Sequence, residues 1–516
     1  MGEINHIMLD ICMGKVRCLF FIIFCLSLTS VVAQTKRTVT LEQCDELSYD
    51  KQGGRSYQVL RGNVRFRHED VVMYCDSAYF YEGGTNSFDA FGNVRVNQQS
   101  GANMTADSVF YNGQTTLMRV RGNVVLTSTT STLKTRFLDF YRNQNYGYYY
   151  GGGEVIDQNY HLTSYQGYYY TESKSYLFKD TVVLTHPQYI IHADSLRYNE
   201  GVGKATLLGP SLVRGQKYRV NTSKGWIYTN TNEGRLYNRS VIHYEKGKRM
   251  TADSIWFNAQ SGWVKAFVDV EVQDSLQKMI VRGQYIECDS TALAYAKVMD
   301  HPYVIDYSTN DSLYLKADLF HVCEIDSVRS EFRAYHNVWF YKSDMQGKCD
   351  SLVYFVQDSM AKMYKDPIIW SEVNQLTGDG LIEIYLKNKK VDKIHIPQNA
   401  LIIADEGDSL FNQLSGKKAD AFLEQSRLRQ IDLIGDANSI YYSKDNDGLL
   451  VGMNKAIGPQ MSIFTKRNKL QKILMTPESE GTMFPPDKIP EEMRFLKGFK
   501  WRISERPNTL REFFEK

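Results

Sequence analysis

The chain repeats a phrase. Gly62-Asn63-Val64, Gly92-Asn93-Val94 and Gly122-Asn123-Val124 stand 30 residues apart, and Gly153-Glu154-Val155 follows 31 residues later. A second phrase is interleaved with it: Cys75-Asp76-Ser77, Ala106-Asp107-Ser108, Ala193-Asp194-Ser195, Ala252-Asp253-Ser254 and Cys349-Asp350-Ser351. A fixed period of this length marks an array in which each unit buries its apolar face only against its neighbours. The period constrains the fold, and the fold constrains the function.

Aligned on the Asp-Ser phrase, the second residue after Asp is Ala78, Val109, Leu196, Ile255 and Leu352, and the fourth is Phe80, Tyr111, Tyr198, Phe257 and Tyr354. The position between is looser: Tyr79, Phe110, Arg197, Trp256 and Val353. In the other phrase Val64 and Phe66, Val94 and Val96, Val124 and Leu126 alternate with Asn63 and Arg65, Asn93 and Arg95, Asn123 and Val125. Period two is a strand with one face committed to an interior. Asn112-Gly113-Gln114, Asn199-Glu200-Gly201, Glu82-Gly83-Gly84-Thr85-Asn86 and Asn258-Ala259-Gln260-Ser261-Gly262 lie between the phrases. Asn-Gly and Gly-Gly supply the positive φ that hairpins need. Each unit therefore reads as a strand pair.

Weaker copies fill the gaps. Leu138-Asp139-Phe140-Tyr141, Ala317-Asp318 and Ala419-Asp420 stand for the Asp-Ser phrase; Asp180-Thr181-Val182, Asp269-Val270, His336-Asn337-Val338 and Gly435-Asp436-Ala437 stand for the other. The expected class is all-β, an array of roughly a dozen units over residues 34–445. It reads as one array or as two consecutive domains, about 40–190 and 191–445. Residues 446–516, with Pro485-Pro486 and the aromatics Phe495, Phe499, Trp501, Phe513 and Phe514, read as a C-terminal cap or tail that covers the last strands or docks a partner.

Residues 1–33 read as an export signal: Lys15 and Arg17 precede the apolar run from Cys18 to Val32, and Val31-Val32-Ala33 offers a cleavage site before Gln34. With 61 basic and 59 acidic residues, no global charge points to nucleic acid. Outside the leader the cysteines are Cys44, Cys75, Cys288, Cys323 and Cys349, an odd number that argues against a complete disulfide framework. Cys75, Cys288 and Cys349 precede Asp where other copies have Ala, as small buried side chains would. No CxxC or His pair supports a metal, and no cofactor is expected.

The Asp-Ser pair does not read as catalytic. Repeated at one position, it shapes a corner, where Asp and Ser hydrogen-bond nearby backbone amides. No catalytic residues are expected. The Tyr run, Tyr146 to Tyr150 and Tyr165 to Tyr170, reads as a cross-strand aromatic ladder, with a lining for sugars or acyl chains as the sharper alternative.

An export signal with alternating Gly-Asn-Val and Ala-Asp-Ser strands resembles the LptA/OstA (organic solvent tolerance) family. The resemblance is clearest over residues 59–126 and recurs at 193–198 and 252–257. It implies an elongated β-jellyroll, or β-taco, of V-shaped antiparallel strands that cradles lipopolysaccharide acyl chains in an apolar groove. It also implies a periplasmic transport protein that carries or bridges lipopolysaccharide from the inner to the outer membrane. The groove residues would be Val64, Phe66, Val94, Val96, Val109, Tyr111, Val124, Leu126, Val182, Leu196, Tyr198, Ile255 and Phe257. Implied partners are lipopolysaccharide itself, the inner- and outer-membrane transport components joined by strand-edge pairing, and a further copy head to tail. Basic residues such as Arg65, Arg95 and Arg119 would meet phosphates or stand solvated on the outer face. The alternatives are an exported β-helical enzyme acting on polysaccharide and a non-catalytic structural or adhesive surface rod.

Overall fold

The computed structural model describes residues 39–516, except 53–54, 69, 82–85, 100, 129–130, 158–159, 200, 259–260, 290–294, 325–329, 425–426, 446 and 467–468. The expected export signal lies outside the described residues. The described chain is almost wholly antiparallel β and forms two compact units: residues up to Glu245 with Thr251–Val264, and Lys246–Met250 with Lys265–Lys516. The division falls near residues 245–265, not near 190, where the chain runs on inside the first unit.

The first unit opens with β1 (Thr40–Gln43), β2 (Glu46–Gln52), β3 (Arg55–His68), β4 (Val71–Tyr81), β5 (Ser87–Gln98), β6 (Asn103–Asn112), β7 (Leu117–Thr127), β8 (Ser131–Tyr141) and β9 (Tyr146–Asp157). From β3 onward each strand pairs antiparallel with the next, while β1 and β2 pair the two halves of β3. Each of these long strands is bent in the middle. In β3, residues up to Arg61 form a first arm, Gly62-Asn63 turn the corner, and Val64–His68 form a second arm; β4 rounds the same corner on Asp76 alone.

The corner needs two consecutive left-handed residues on one strand. Gly62 and Asn63 have φ +73° and +46°, Gly92 and Asn93 +75° and +45°, Gly122 and Asn123 +73° and +41°. Glycine carries no Cβ to clash there, and asparagine tolerates the region best among side-chain-bearing residues. The neighbouring strand gives glycine a second reason: a Cβ on Gly92 would lie 2.5 Å from Asp76 Oδ2. That same oxygen accepts from Asn93 Nδ2 at 2.8 Å; Asn63 donates to Asp45 at 2.8 Å and Asn123 to Asp107 at 3.0 Å. The two repeated phrases are thus the two halves of one joint. The Asp accepts from the adjoining strand's Asn side chain, not from backbone amides as expected, and Ser195 and Ser351 donate to their own preceding Asp.

The joint also settles which side chains face inward. On the Asp strand the buried residues flanking the corner are three apart (Cys75 and Ala78, Ala106 and Val109, Ala193 and Leu196, Ala252 and Ile255). On the Gly-Asn strand they are four apart (Leu60 and Val64, Ala90 and Val94, Val120 and Val124). The extra residue in one strand compensates the period-two alternation, so the same face stays inside on both arms. Cys75 and Cys349 occupy these small buried positions; Cys288 does not.

Corners recur at Gly151-Gly152, Asp180-Thr181, Asn238-Arg239, Val268-Asp269, His336-Asn337 and Gly435-Asp436. Four of the copies read from sequence belong elsewhere. Gly153 lies just past its corner, and Asp139 lies in an arm, since Arg136 stands at the corner of β8. Asp289 and Asp420 are likewise within arms, where Asp289 faces Tyr295 across the ladder and Asp420 accepts from Lys393 and His395. In the turns at the arm ends, positive φ falls on the last residue (Asn86, Thr116, Asn145, Lys174, Asn232), not on an Asn-Gly pair. Asn112 Oδ1 instead accepts the Gln114 and Thr115 amides.

In the second unit strands continue past residue 445, through Leu450–Lys466, Lys469–Met475 and Glu480–Phe484. Here Ile368–Ser371 and Ala400–Ile403 are buried at every position, on both faces of the sheet. The outer cover is the C-terminal segment, which turns back across the second arm as a strap and ends in helix α1 (Leu510–Glu515), capped by Thr509. Arg502 pairs bidentately with Asp366 at 2.8 and 2.9 Å, and Phe513 is fully buried beside Tyr314 and Tyr341.

Two outcomes follow from these contacts. Gly92→Ala forces a side chain into φ +75° against Asp76 and should cost about 1–3 kcal/mol. Thermal unfolding followed by circular dichroism should show a midpoint several degrees lower, with Asn97→Ala on the same strand as an unchanged control. The Arg502 hydrogen bond, with Lys348 beside it, holds the Glu505 carboxyl down at about 2 against an ordinary 4.5. The Arg502 pair lies within the strap, so only the Lys348 pair across the contact contributes to docking; that contribution is complete above 4.5 and is lost as pH falls toward 2. Exchange of the strap amides, corrected for intrinsic rates, should accelerate over that window.

Candidate functional site

Close to each corner the space between the arms is filled. Large and small side chains complement each other there: Leu60 with Val64, Val109 with Ala106, and Tyr149 with Gly153, where a Cβ would come within 2.2 Å of the Tyr149 ring. Tyr149 spans the interior and its hydroxyl reaches Ser164 Oγ at 2.6 Å. Burial pushes that phenol up to about 12.

Away from the corners the arms of β3 to β8 part around an apolar cleft of about 120 Å³. Phe66, Met73 and Val96 line it from the second arm, and Phe88, Tyr111, Met118 and Phe140 from the first. Phe66 stacks on Phe88 at 5.3 Å, and Phe88 meets Tyr111 at 5.5 Å. Arg67 and His68 at the end of one arm, and Thr116 and Arg142 at the end of the other, put the polar groups at the lips. The alternation that buries Val94 and Val109 near the corner carries Val96 and Tyr111 to the mouth two residues later.

Of the residues singled out from sequence, Phe66, Val96 and Tyr111 line this cleft. Val64, Val94, Val109 and Val124 lie beneath it in the packed apex, and Leu126 is half-buried on the same face. Val182, Leu196, Tyr198, Ile255 and Phe257 are buried in later layers of the first unit. Met73, Phe88, Met118 and Phe140 escaped the sequence reading. Each sits two residues beyond an apex position (Cys75, Ala90, Val120, Leu138), so the period-two rule applied outward from the corner would have found them. Arg95 and Arg119 stand exposed on the outer face, and Arg65 lies there too, paired with Glu42 at 2.7 Å; none is at the mouth.

The Tyr run forms a ladder on the outer face of the first arm. Phe137 stacks on Tyr150 at 5.1 Å, Tyr141 on Tyr146 at 4.9 Å and Tyr148 on Tyr168 at 5.3 Å, all within 16° of parallel. The Arg121 guanidinium lies 5.8 Å from both the Phe137 and Tyr150 rings and pairs with the buried Asp139. The ring faces of these pairs cover one another, while Tyr165 and Tyr170 of the same run remain exposed. Burial pushes the Cys75 and Cys349 thiols up to about 12, which leaves them poor nucleophiles. Among the described residues no group of three His, Cys, Asp or Glu side chains is placed to hold a metal ion, and no helix is long and apolar enough to cross a membrane.

A stack of bent antiparallel strands with an apolar cleft between its arms defines a class of all-β proteins with an apolar interior open between the arms. The family model described as OstA-like protein matches residues 36–194, a stretch that contains every residue lining the cleft. Over residues 36–194 the chain is similar to the OstA-like family. Among solved structures it is similar to LptH from Pseudomonas aeruginosa, described as the LptA homologous periplasmic component of the lipopolysaccharide transport device, at 13% identity over 21% of this chain and 82% of that one, with a TM-score of 0.20. No curated protein matches the chain.

If the cleft admits apolar guests, the dye N-phenyl-1-naphthylamine should brighten on binding the native protein. Val96→Trp should remove the signal by filling the mouth, and Asn97→Trp, on the opposite face, should leave it intact.

Proposed function

We propose that this protein is a non-catalytic carrier of lipopolysaccharide in the periplasm, which holds the acyl chains between the arms and helps pass the lipid from the inner to the outer membrane. One observation carries the reading: the apolar cleft lies wholly within the OstA-like stretch, and its lining is aliphatic and aromatic, with Arg142 and the Glu42-paired Arg67 at the lips. Burying an acyl chain gains about 0.8 kcal/mol per methylene, which suffices to keep a lipid out of water without a covalent bond. Of the thirteen residues named from sequence, this reading takes Phe66, Val96 and Tyr111 as contact residues and the buried positions near the corners of β3 to β7 as the floor beneath them.

Transfer needs contact at the ends of a strand stack. Among the described residues, β1 and β2 pair only with β3, and Lys469–Met475 and Glu480–Phe484 pair only with Leu450–Lys466. Such free edges suit strand addition by membrane-bound transport components or by a further copy.

Photo-crosslinking amino acids at Val96, Tyr111 and Met118 should capture lipopolysaccharide in cells, and the same group at Asn97 should not. Native mass spectrometry of the exported protein should show co-purified lipid A species. Equal capture at all four positions would remove the one-faced groove.

A further inference from the structure

The cleft ends inside the first unit. Its first-arm lining runs through Phe88, Tyr111, Met118 and Phe140, one residue on each successive strand. The strands that follow β9 are β10 (His161–Ser164), β11 (Gln166–Tyr170), β12 (Ser175–His186) and β13 (Tyr189–Asn199). Carried on through the ladder, the same row reads Gly147, Tyr169, Tyr176 and Tyr198. The corresponding row of the second arm reads Leu133, Val155, Leu162 and Leu184, all buried.

In these later layers the interior is filled from apex to mouth. Tyr176 and Tyr198 are each 4% exposed, and Tyr160, at the end of the second arm, is 5% exposed. Tyr111, Met118 and Phe140 along the cleft are half-buried. The Tyr169 and Tyr176 rings meet at 4.6 Å, and Tyr176 lies 6.3 Å from Phe178 and almost parallel to it. On the cleft side the Phe140 ring takes the space beside Gly147, 3.0 Å from where a Cβ would stand. Beneath the row, the Tyr149 ring is enclosed by Gly153 and Gly167, where a Cβ would come within 2.2 and 2.3 Å. A passage through these layers would have to displace several rings that pack on one another, and interiors this dense do not deform continuously. At the other end the stack is open among the described residues: Leu47 and Tyr49 of β2 are 44% and 67% exposed, and Leu47 pairs with Leu60 across the ladder.

We infer that Tyr169, Tyr176 and Tyr198 form a stop that sets the longest acyl chain the cleft holds. The cleft is blind at this end, and a guest enters and leaves by the lips or by the β1–β2 end. The inference rests on the carrier reading and adds a length limit to it. The available run is β3 to β8, a span of about 24 Å at about 4.8 Å per strand.

Displacement of N-phenyl-1-naphthylamine by saturated fatty acids of increasing length, each below its aggregation threshold, reads that limit on the unmodified protein. Affinity should rise about fourfold with each added methylene while the chain still gains buried surface, and then level off. Tyr176→Ala and, separately, Tyr198→Ala should carry the rise on to longer chains and leave the short ones unchanged. Tyr170→Ala, on the outer face, should not move the levelling point. A tyrosine that only filled the core would lower the unfolding midpoint, followed by circular dichroism, without moving that point. A fatty acid with a photoreactive group on its terminal carbon maps the end of the path with no substitution at all. Its crosslinks should stop at Phe140 and the tyrosines. A crosslink at Ile227, two strands beyond Tyr198, overturns the proposal. So does an unbroken rise through the longest soluble chain, or a levelling point that stays put in both folded variants. Failure of every chain to displace the bound dye would instead overturn the carrier reading, and the stop with it.

Discussion

The corner is the contact on which the rest of this structure depends. Two left-handed residues on one strand meet one acid on the next, and an Asn side chain bonds that acid across the strands. Remove the bend and each strand becomes a flat ribbon with one apolar face and nothing to cover it. With the bend, a strand covers itself: the residues before the corner pack on those after it. The two-against-one count also explains the length of the repeat, since a Gly-Asn strand and an Asp strand must alternate and each pair consumes about 30 residues. Backbone groups at the corner are satisfied between layers, as where the Gly152 amide meets Tyr165 O and the Tyr165 amide meets Asp180 O.

The outer faces of the two units are treated differently. In the first unit the outer face of the second arm carries Arg65, Arg95, Lys134 and Glu154, with pairs such as Arg65–Glu42 that need no cover. In the second unit the corresponding face carries Ile368, Trp370, Ile403 and Ile440, all buried, and glutamines that need amide partners. A sheet apolar on both faces must be covered twice, and the strap supplies the second layer.

Much of the joint was legible in the sequence because it is made by residues with narrow conformational meaning. Glycine, asparagine and aspartate at fixed spacing announce a bend, and the alternation beside them announces a strand. What the phrases alone did not reveal was the change from three-residue to four-residue spacing across the corner, which decides side-chain direction in the far arm. Once a corner is built without its usual letters, as at Gly151-Gly152 or Arg136, the phrase misleads: Gly153 and Asp139 imitate it from the wrong position. The cleft lining was only partly visible for a related reason. Met73 and Met118 stand two residues outward from the corner positions, outside the recurring phrases, so only the alternation carried outward from the corner marks them. The strap was visible as aromatic residues without a place to go. Its partners lie 125 and 127 residues away in the chain for Gln375, and no local pattern encodes a contact of that separation.

The distribution of rigidity between apex and mouth bears on how such a cleft can work. Apex side chains are complementary to the level of single methyl groups, with Gly153 obligatory beneath the Tyr149 ring. That packing fixes the angle at which the arms leave the corner, because interiors this dense do not deform continuously. At the mouth the lining changes to methionine and half-buried aromatics, which fill irregular space and repack at little cost. The hinge line is therefore stiff while the lips adapt. In the proposed carrier role, such a cleft would accommodate apolar chains of different length by rearranging side chains at the lips rather than by opening the sheet, leaving the strand ladder between layers intact.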